Sequence, residues 1–431
     1  MHIFFSGIGG SGIGPLARLA KQAGYEVSGS DKQESAATKQ LQKEGINLHI
    51  GQTEEAIAKL HKKHPIDWFV FSSAVTRENL YHPELIFAKR NHIKHSMRDE
   101  LLNQIITDKK LRLIGIAGTH GKSTTTAMIV WLFYCLKIAV GHSVGAKLPF
   151  AQAGELPQGA TYFVYECDEF DYNFLAFHPY LAAITGIGWD HHEIFPTKES
   201  YVKAYRDFIA QSRHTFLWQA DAKQLKLATG DGISELRQDD PLIDTIALPG
   251  EFNRHDALLA VQTVHAITQK PVAQLIDFVN EFPGLKQRME LLRPNLYTNY
   301  AHTPEKIKGG LNTALELADN QDVIVIYEPL TNRRQHHIKH TYKDTFKGAK
   351  KVHWVRTYLA REDPNLQLLT PAELITYLDD PNIAAPAEVD VSLLKTIKQH
   401  LADGDIVVAM GASGTGSLDE WLRTQVETGK L

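Results

Sequence analysis

Short apolar runs alternate with amphipathic stretches along the whole chain. Residues 2–6 form one such run, pass through glycines into a stretch of helical spacing at 15–23, and reach a second run at 25–30, which reads as strand, turn, helix, strand. Another apolar run at 68–72 leads into a polar segment and predicts a further strand ending in a functional loop. The pattern restarts at 111–117, followed by a glycine turn and a helix from Lys122 to about Leu136, with strands at 162–167 and 181–185. It restarts again with a helix at 304–317 and strands at 323–327, 352–355 and 406–410. Continuous apolar strands alternating with helices predict mostly parallel sheets covered on both faces, an α/β class. Three units are expected, at 1–108, 109–284 and 285–431.

The length of 431 residues agrees with several domains, because single cores stop growing near roughly 250–300 residues. Lys and Arg number 46 against 50 Asp and Glu, so the basic excess of a nucleic-acid footprint is missing. The two cysteines, Cys135 and Cys167, sit in apolar stretches without metal-ligand spacing and are expected to be buried free thiols in a reducing compartment. The N-terminus lacks the pattern of a signal peptide, and the longest apolar run, 127–140, is broken by Lys137 and too short to cross about 30 Å of hydrocarbon. A soluble cytoplasmic protein is expected.

Three motifs carry chemistry. Gly7-Ile8-Gly9-Gly10-Ser11-Gly12 follows a strand and opens a helix, and Asp31 closes the next strand. Glycines there let the backbone approach a diphosphate at a helix N-terminus, and the carboxylate can take ribose hydroxyls. The pattern fits nicotinamide, flavin and UDP-sugar ligands alike, and a packing turn as well. Gly118-Thr119-His120-Gly121-Lys122-Ser123-Thr124 is a second strand–turn–helix loop, in which amides cradle phosphates, Lys122 reaches the β/γ oxygens and Ser123 ligates Mg²⁺. It departs from the strict pattern, with Ile116 at the first glycine position. Glu166-Cys167-Asp168-Glu169-Phe170-Asp171 and Asp190-His191-His192 place hard oxygen ligands after two apolar strands, where open α/β sheets bind ligands.

These segments, together with Asn253-Arg254-His255-Asp256 and Tyr300-Ala301-His302-Thr303-Pro304, resemble the Mur ligase family. Gly7 to Gly12, Ser28-Gly29-Ser30-Asp31, Ser72-Ser73-Ala74 and Arg98-Asp99-Glu100-Leu101 are most similar to its branch that adds L-alanine to UDP-N-acetylmuramate in peptidoglycan precursor synthesis. The resemblance implies a Rossmann-like UDP-substrate domain at 1–108, a central P-loop ATPase domain at 109–284 and a Rossmann-like C-terminal domain at 285–431 that closes on the site. ATP would phosphorylate the muramyl carboxylate, and the amine would attack the acyl phosphate. By the same resemblance Lys122, Glu166, His191 and Arg334 are catalytic, Ser123 and Glu166 hold one Mg²⁺, and His191 binds a second. Gly118, Thr119, His120, Gly121, Lys122, Ser123, Thr124, Asn253, His255 and Arg288 bind ATP. Gly9, Gly10, Ser11, Gly12, Asp31, Ser73, Tyr300 and His302 bind substrate. The implied partners are UDP-N-acetylmuramate and L-alanine or a murein tripeptide, without nucleic acid or membrane, and the chain would be a monomer or weak homodimer.

Four departures fall in the last unit. Asn299 and Gln287 stand where the family usually has aspartate and arginine, and Ser413-Gly414 replaces Gly-Asp. The turn Glu328-Pro329-Leu330-Thr331-Asn332 partly resembles the branch that recycles murein tripeptide. A tripeptide-recycling ligase and a nucleotide-binding homologue without activity are therefore the alternatives. An NAD-dependent oxidoreductase would leave the second loop and its carboxylates without a role.

Overall fold

The apolar runs become the central strands of three sheets in the computed structural model. It describes all residues except Ser11, Ser73, Ala74, Thr76, Arg77, Glu78, Leu80, His192, Glu193, Ala228, Thr229, Asp231, Ala360, Arg361, Pro364 and Ser413. The expectations placed on Ser11, Ser73, Ala74, His192 and Ser413 lie outside the described residues.

The first sheet holds β1 (His2–Ser6), β2 (Glu26–Asp31), β3 (Asn47–Ile50), β4 (Trp68–Phe71) and β5 (Lys94–Met97), in the order β3-β2-β1-β4-β5, with every pair parallel. The second holds β6 (Arg112–Ala117), β7 (Gly141–Ser143), β8 (Gly154–Glu155), β9 (Tyr162–Glu166), β10 (Leu181–Ile184), β11 (Thr215–Trp218) and β12 (Ile233–Leu236). Their order is β12-β11-β10-β6-β9-β7-β8, and only β7 and β8 pair antiparallel. The third holds β13 (Glu290–Arg293), β14 (Leu296–Asn299), β15 (Val323–Tyr327), β16 (Lys351–Trp354), β17 (Ala384–Pro386) and β18 (Ile406–Met410), ordered β13-β14-β18-β15-β16-β17, with an antiparallel β13–β14 edge. Strands β1, β15 and β18 are buried at every position, as parallel strands covered on both faces must be.

The chain divides into two compact units, Met1–Ile246 with Asp256–Phe282, and Ala247–His255 with Pro283–Leu431. The first unit carries the first two sheets. They share one apolar core that includes Ile3, Leu113, Phe163 and Phe208, and the helix Arg98–Asp108 adds Leu101, Leu102 and Ile105 to it. The second unit carries the third sheet, with Tyr327 and Trp354 packed on one face and Ile324, Ile326 and Val407 on the other. Among the described residues no helix is long and apolar enough to cross a membrane.

Element ends move by a residue or two from the expectation. Cys167 is buried as expected, but Cys135 is only half-buried. It ends the helix Lys122–Cys135, next to the 59% exposed Tyr134, where the helix leaves the core.

Candidate active site

Strand β6 delivers the phosphate loop to the carboxyl edge of the second sheet, between its neighbours β9 and β10. The loop is held by the turn after β10. The Thr119 amide donates to the Gly186 carbonyl at 2.8 Å, the Thr119 hydroxyl donates to the Gly188 carbonyl at 2.6 Å, and the Gly188 amide donates back to that hydroxyl at 2.8 Å. Tyr201 closes this network, its hydroxyl 2.8 Å from that of Thr119, and the Thr185 hydroxyl donates to the His120 carbonyl. Gly118 has φ +141°, and a Cβ there would sit 2.1 Å from the Thr185 Oγ1 and 3.0 Å from the Gly186 carbonyl oxygen. Only glycine fits. Gly121 caps the helix that opens with Lys122, Ser123 and Thr124, and the carboxyl of Asp256 lies against it, pushed up to about 7 by burial.

Lys122 and Ser123 sort the carboxylates into two groups. The Lys122 Nζ donates to Glu169 Oε2 and to the Gly118 carbonyl, both at 2.6 Å, with Asp168 at 4.0 Å. Burial draws the ammonium down, but Glu169, Asp168 and Glu166 outweigh it and hold it above its ordinary value. The Ser123 hydroxyl donates to Glu166 at 2.9 and 3.1 Å, and the Gly145 amide donates to the same carboxylate at 3.0 Å. His191 stands with the other group, its Nε2 3.7 Å from Glu169 Oε1. Ligand atoms of Asp168, Glu169 and His191 lie within 4.8 Å of one another. A hydroxyl and several carboxylate oxygens suit a hard cation of the Mg²⁺ type. Ser123 and Glu166, expected on one Mg²⁺, stand together, and His191, expected on a second, stands with Asp168 and Glu169.

Tyr201 carries no role in the sequence reading, and Glu169 enters it only as one member of the acidic cluster. Glu169 is fully buried, tied to Lys122 and also within 3.4 Å of the Tyr201 hydroxyl. The acidic cluster was the available signal, but spacing alone does not tell which carboxylate turns inward.

In the first sheet, the Gly9 amide donates to Asp31 Oδ2 at 2.8 Å, so the carboxylate at the end of β2 braces the glycine loop. Arg98 lies against Gly12, where a Cβ would meet its Nη1 at 2.6 Å. Burial lowers this guanidinium, yet Tyr165, Asp99, Asp168 and Glu166 hold it above its usual value. Arg98 therefore lies against the glycine loop and in the field of the carboxylate cluster, a third residue whose place only the fold reveals. Beneath the loop, Glu84 is fully buried and accepts from Ser6 at 2.6 Å and Ser30 at 2.8 Å.

Burial pushes the Glu84 carboxyl from 4.5 to about 7, so the folded chain holds this proton more tightly than the unfolded chain does. The resulting stabilisation is complete below the unfolded value and is lost as pH rises through about 7; it is on the order of 3 kcal/mol. Thermal melting is expected to fall as pH rises from 4.5 to about 7, the unfolded and folded values, and Glu84→Gln is expected to lessen that slope, to which Asp256 also contributes. A slope unchanged by the substitution would contradict the assignment.

The remaining predicted residues lie in the second unit. Asn253 donates to the Pro249 carbonyl at 2.7 Å, and His255 is on the same helix, Glu251–Thr268. The Arg288 guanidinium lies 5.2 Å from the Tyr300 ring, and that ring meets His302 edge-on at 4.7 Å, so these three cluster. Arg334 stands in the first turn of the helix Asn332–Ile338, its amide capped by Thr331. Of the departures, Asn299 accepts from the Met289 amide at 3.3 Å, and the Gln287 carbonyl accepts from the Tyr300 amide at 2.8 Å. Glu328 caps a helix start by accepting from the Leu418 amide at 3.0 Å.

Residues 2–110 match the Mur ligase family, catalytic domain, and residues 116–233 match the Mur ligase middle domain. A UDP-N-acetylmuramate--L-alanine ligase of Carboxydothermus hydrogenoformans is 31% identical, over 84% of this chain and 83% of its own. Among solved structures, the UDP-N-acetylmuramate-alanine ligase MurC of Thermotoga maritima superposes with a TM-score of 0.74 at 21% identity, covering 100% of this chain and 99% of that one. A murein peptide ligase of Psychrobacter arcticus gives 0.64 at 20% identity, covering 100% and 98%. The structural likenesses establish the shared fold.

Proposed function

The chain belongs to the Mur ligase family, and from that premise we propose that it joins L-alanine to the carboxylate of UDP-N-acetylmuramate, using ATP, in cytoplasmic peptidoglycan precursor synthesis. The observation that carries the reading is the intact pair of groups at the phosphate loop, Lys122 with Glu169 and Ser123 with Glu166. The likeness to an alanine-adding ligase supports the choice of substrates.

Phosphoryl transfer to a carboxylate asks for positioning and charge neutralisation rather than a protein nucleophile. The amides of Gly118 to Thr124 would cradle the ATP phosphates, and Lys122 would neutralise charge developing on the transferring group. Ser123 and Glu166, and the trio Asp168, Glu169 and His191, would hold Mg²⁺, which when bound neutralises phosphate oxygens. Gly9, Gly10, Gly12 and Asp31 would receive the UDP diphosphate and ribose, with Arg98 turned toward the acidic end of the substrate. Asn253 and His255 would contact adenine, Arg288 the phosphates, and Tyr300, His302 and Arg334 the incoming amino acid. In domain terms, 1–108 would bind the UDP-sugar, 109–284 ATP, and 285–431 would close on both. The muramyl carboxylate would take the γ-phosphoryl group of ATP with release of ADP, and the amine would then attack the acyl phosphate and give up a proton as phosphate leaves and the amide forms.

Mass spectrometry of the product tests this reading. Incubation with ATP, Mg²⁺, UDP-N-acetylmuramate and L-alanine is expected to yield the alanyl amide. An amide formed only with L-Ala-γ-D-Glu-diaminopimelate, or none with any amine, would refute it.

A further inference from the structure

A cavity of about 850 Å³ opens where the amino-terminal ends of strands from the first two sheets converge, on the edge opposite the phosphate loop. Trp68 begins β4, Lys94 begins β5 and Arg112 begins β6, and all three line it. The helix Arg98–Asp108 forms another wall.

Four cations, Lys94, Lys110, Arg112 and Arg213, face this space against a single carboxylate, Glu100. In a chain of net charge −4, composition does not account for that excess. Aromatic rings hold three of these cations without neutralising them. The Tyr180 ring takes the Arg112 guanidinium at 4.9 Å and that of Arg213 at 5.2 Å, while the Lys94 ammonium lies 3.3 Å from the Trp68 ring. Among the described residues none of the four forms an ion pair with a carboxylate. Two guanidiniums gathered on one ring repel each other unless an anion bridges them, and their planar forks match phosphate oxygens. The wall also offers the hydroxyls of Thr107 and Ser212, beside the apolar Ile106, Leu111 and Leu113.

We infer that this cavity is an additional ligand site, built for a small phosphate-bearing anion and separate from both the phosphate loop and the glycine loop. Calorimetric titration of the full chain with inorganic tripolyphosphate, in metal-free low-salt buffer, tests it. The wild-type chain is expected to take up one equivalent more than Arg112→Ala/Arg213→Ala, or to bind at least about tenfold more tightly. The affinity is expected to fall as salt is added. Lys94→Ala/Lys110→Ala is expected to give the same loss, and both double variants to keep the wild-type melting temperature and turnover. No uptake by the wild-type chain, or uptake that both double variants match, would overturn the site.

Discussion

Lys122→Ala is expected to cut ATP-dependent turnover by about 10²–10³-fold or more, the effect of deleting one preorganised electrostatic group. Lys122 sits on the phosphate loop itself, bonded to the Gly118 carbonyl and to Glu169 at 2.6 Å each. Its removal has a second consequence, because Glu169 is fully buried and would lose its cation. Breaking a buried pair from one side costs about 3–5 kcal/mol. The Lys122 side chain keeps 13% of its exposure, so the lower end of that range applies. The single variant is therefore expected to melt earlier than wild type. Lys122→Ala/Glu169→Gln is expected to recover the melting temperature without recovering turnover, which separates the chemical role from the structural one. Turnover that survived the loss of Lys122 would mean that the phosphate-loop assignment is wrong.

Gly118→Ala is the second large effect. At φ +141° an alanine is strained whatever the space around it, and its methyl would overlap the Thr185 hydroxyl that tethers His120. Strain and overpacking together cost on the order of 3 kcal/mol. More telling is the local effect, since relief of the clash must move the loop off the turn at Gly186 to Gly188. Binding of a non-hydrolysable ATP analogue, measured by calorimetry, is expected to vanish at concentrations that saturate wild type. Normal binding would show that the loop does not depend on its seat beside β10.

The parts of this fold legible in the sequence are those buried on both sides. Strands β1, β15 and β18 appear where continuous apolar runs predict them, because parallel strands covered by helices leave no polar face. Short strands at or next to the sheet edges were not legible. β7, β8, β13 and β17 are two to four residues long and carry mixed or partial burial, so neither alternation nor an apolar run marks them. The phosphate loop was readable because its residues are contiguous. The partners of that loop were not, since Glu169, Thr185 and Tyr201 reach it only through the adjacency of β9, β6 and β10. Arg98 shows the same limit, for its place against Gly12 depends on how the helix Arg98–Asp108 packs between two sheets. Cys135 marks the opposite failure, an apolar neighbourhood in sequence that is only half-buried in space.

Phosphate release from ATP and Mg²⁺ in the presence of UDP-N-acetylmuramate, scanned across L-alanine, glycine, L-serine and murein tripeptide, separates alanine addition from the alternative reactions. Release that requires both the UDP-sugar and L-alanine is the predicted result. Release that requires tripeptide instead, or that occurs without the UDP-sugar, would contradict it.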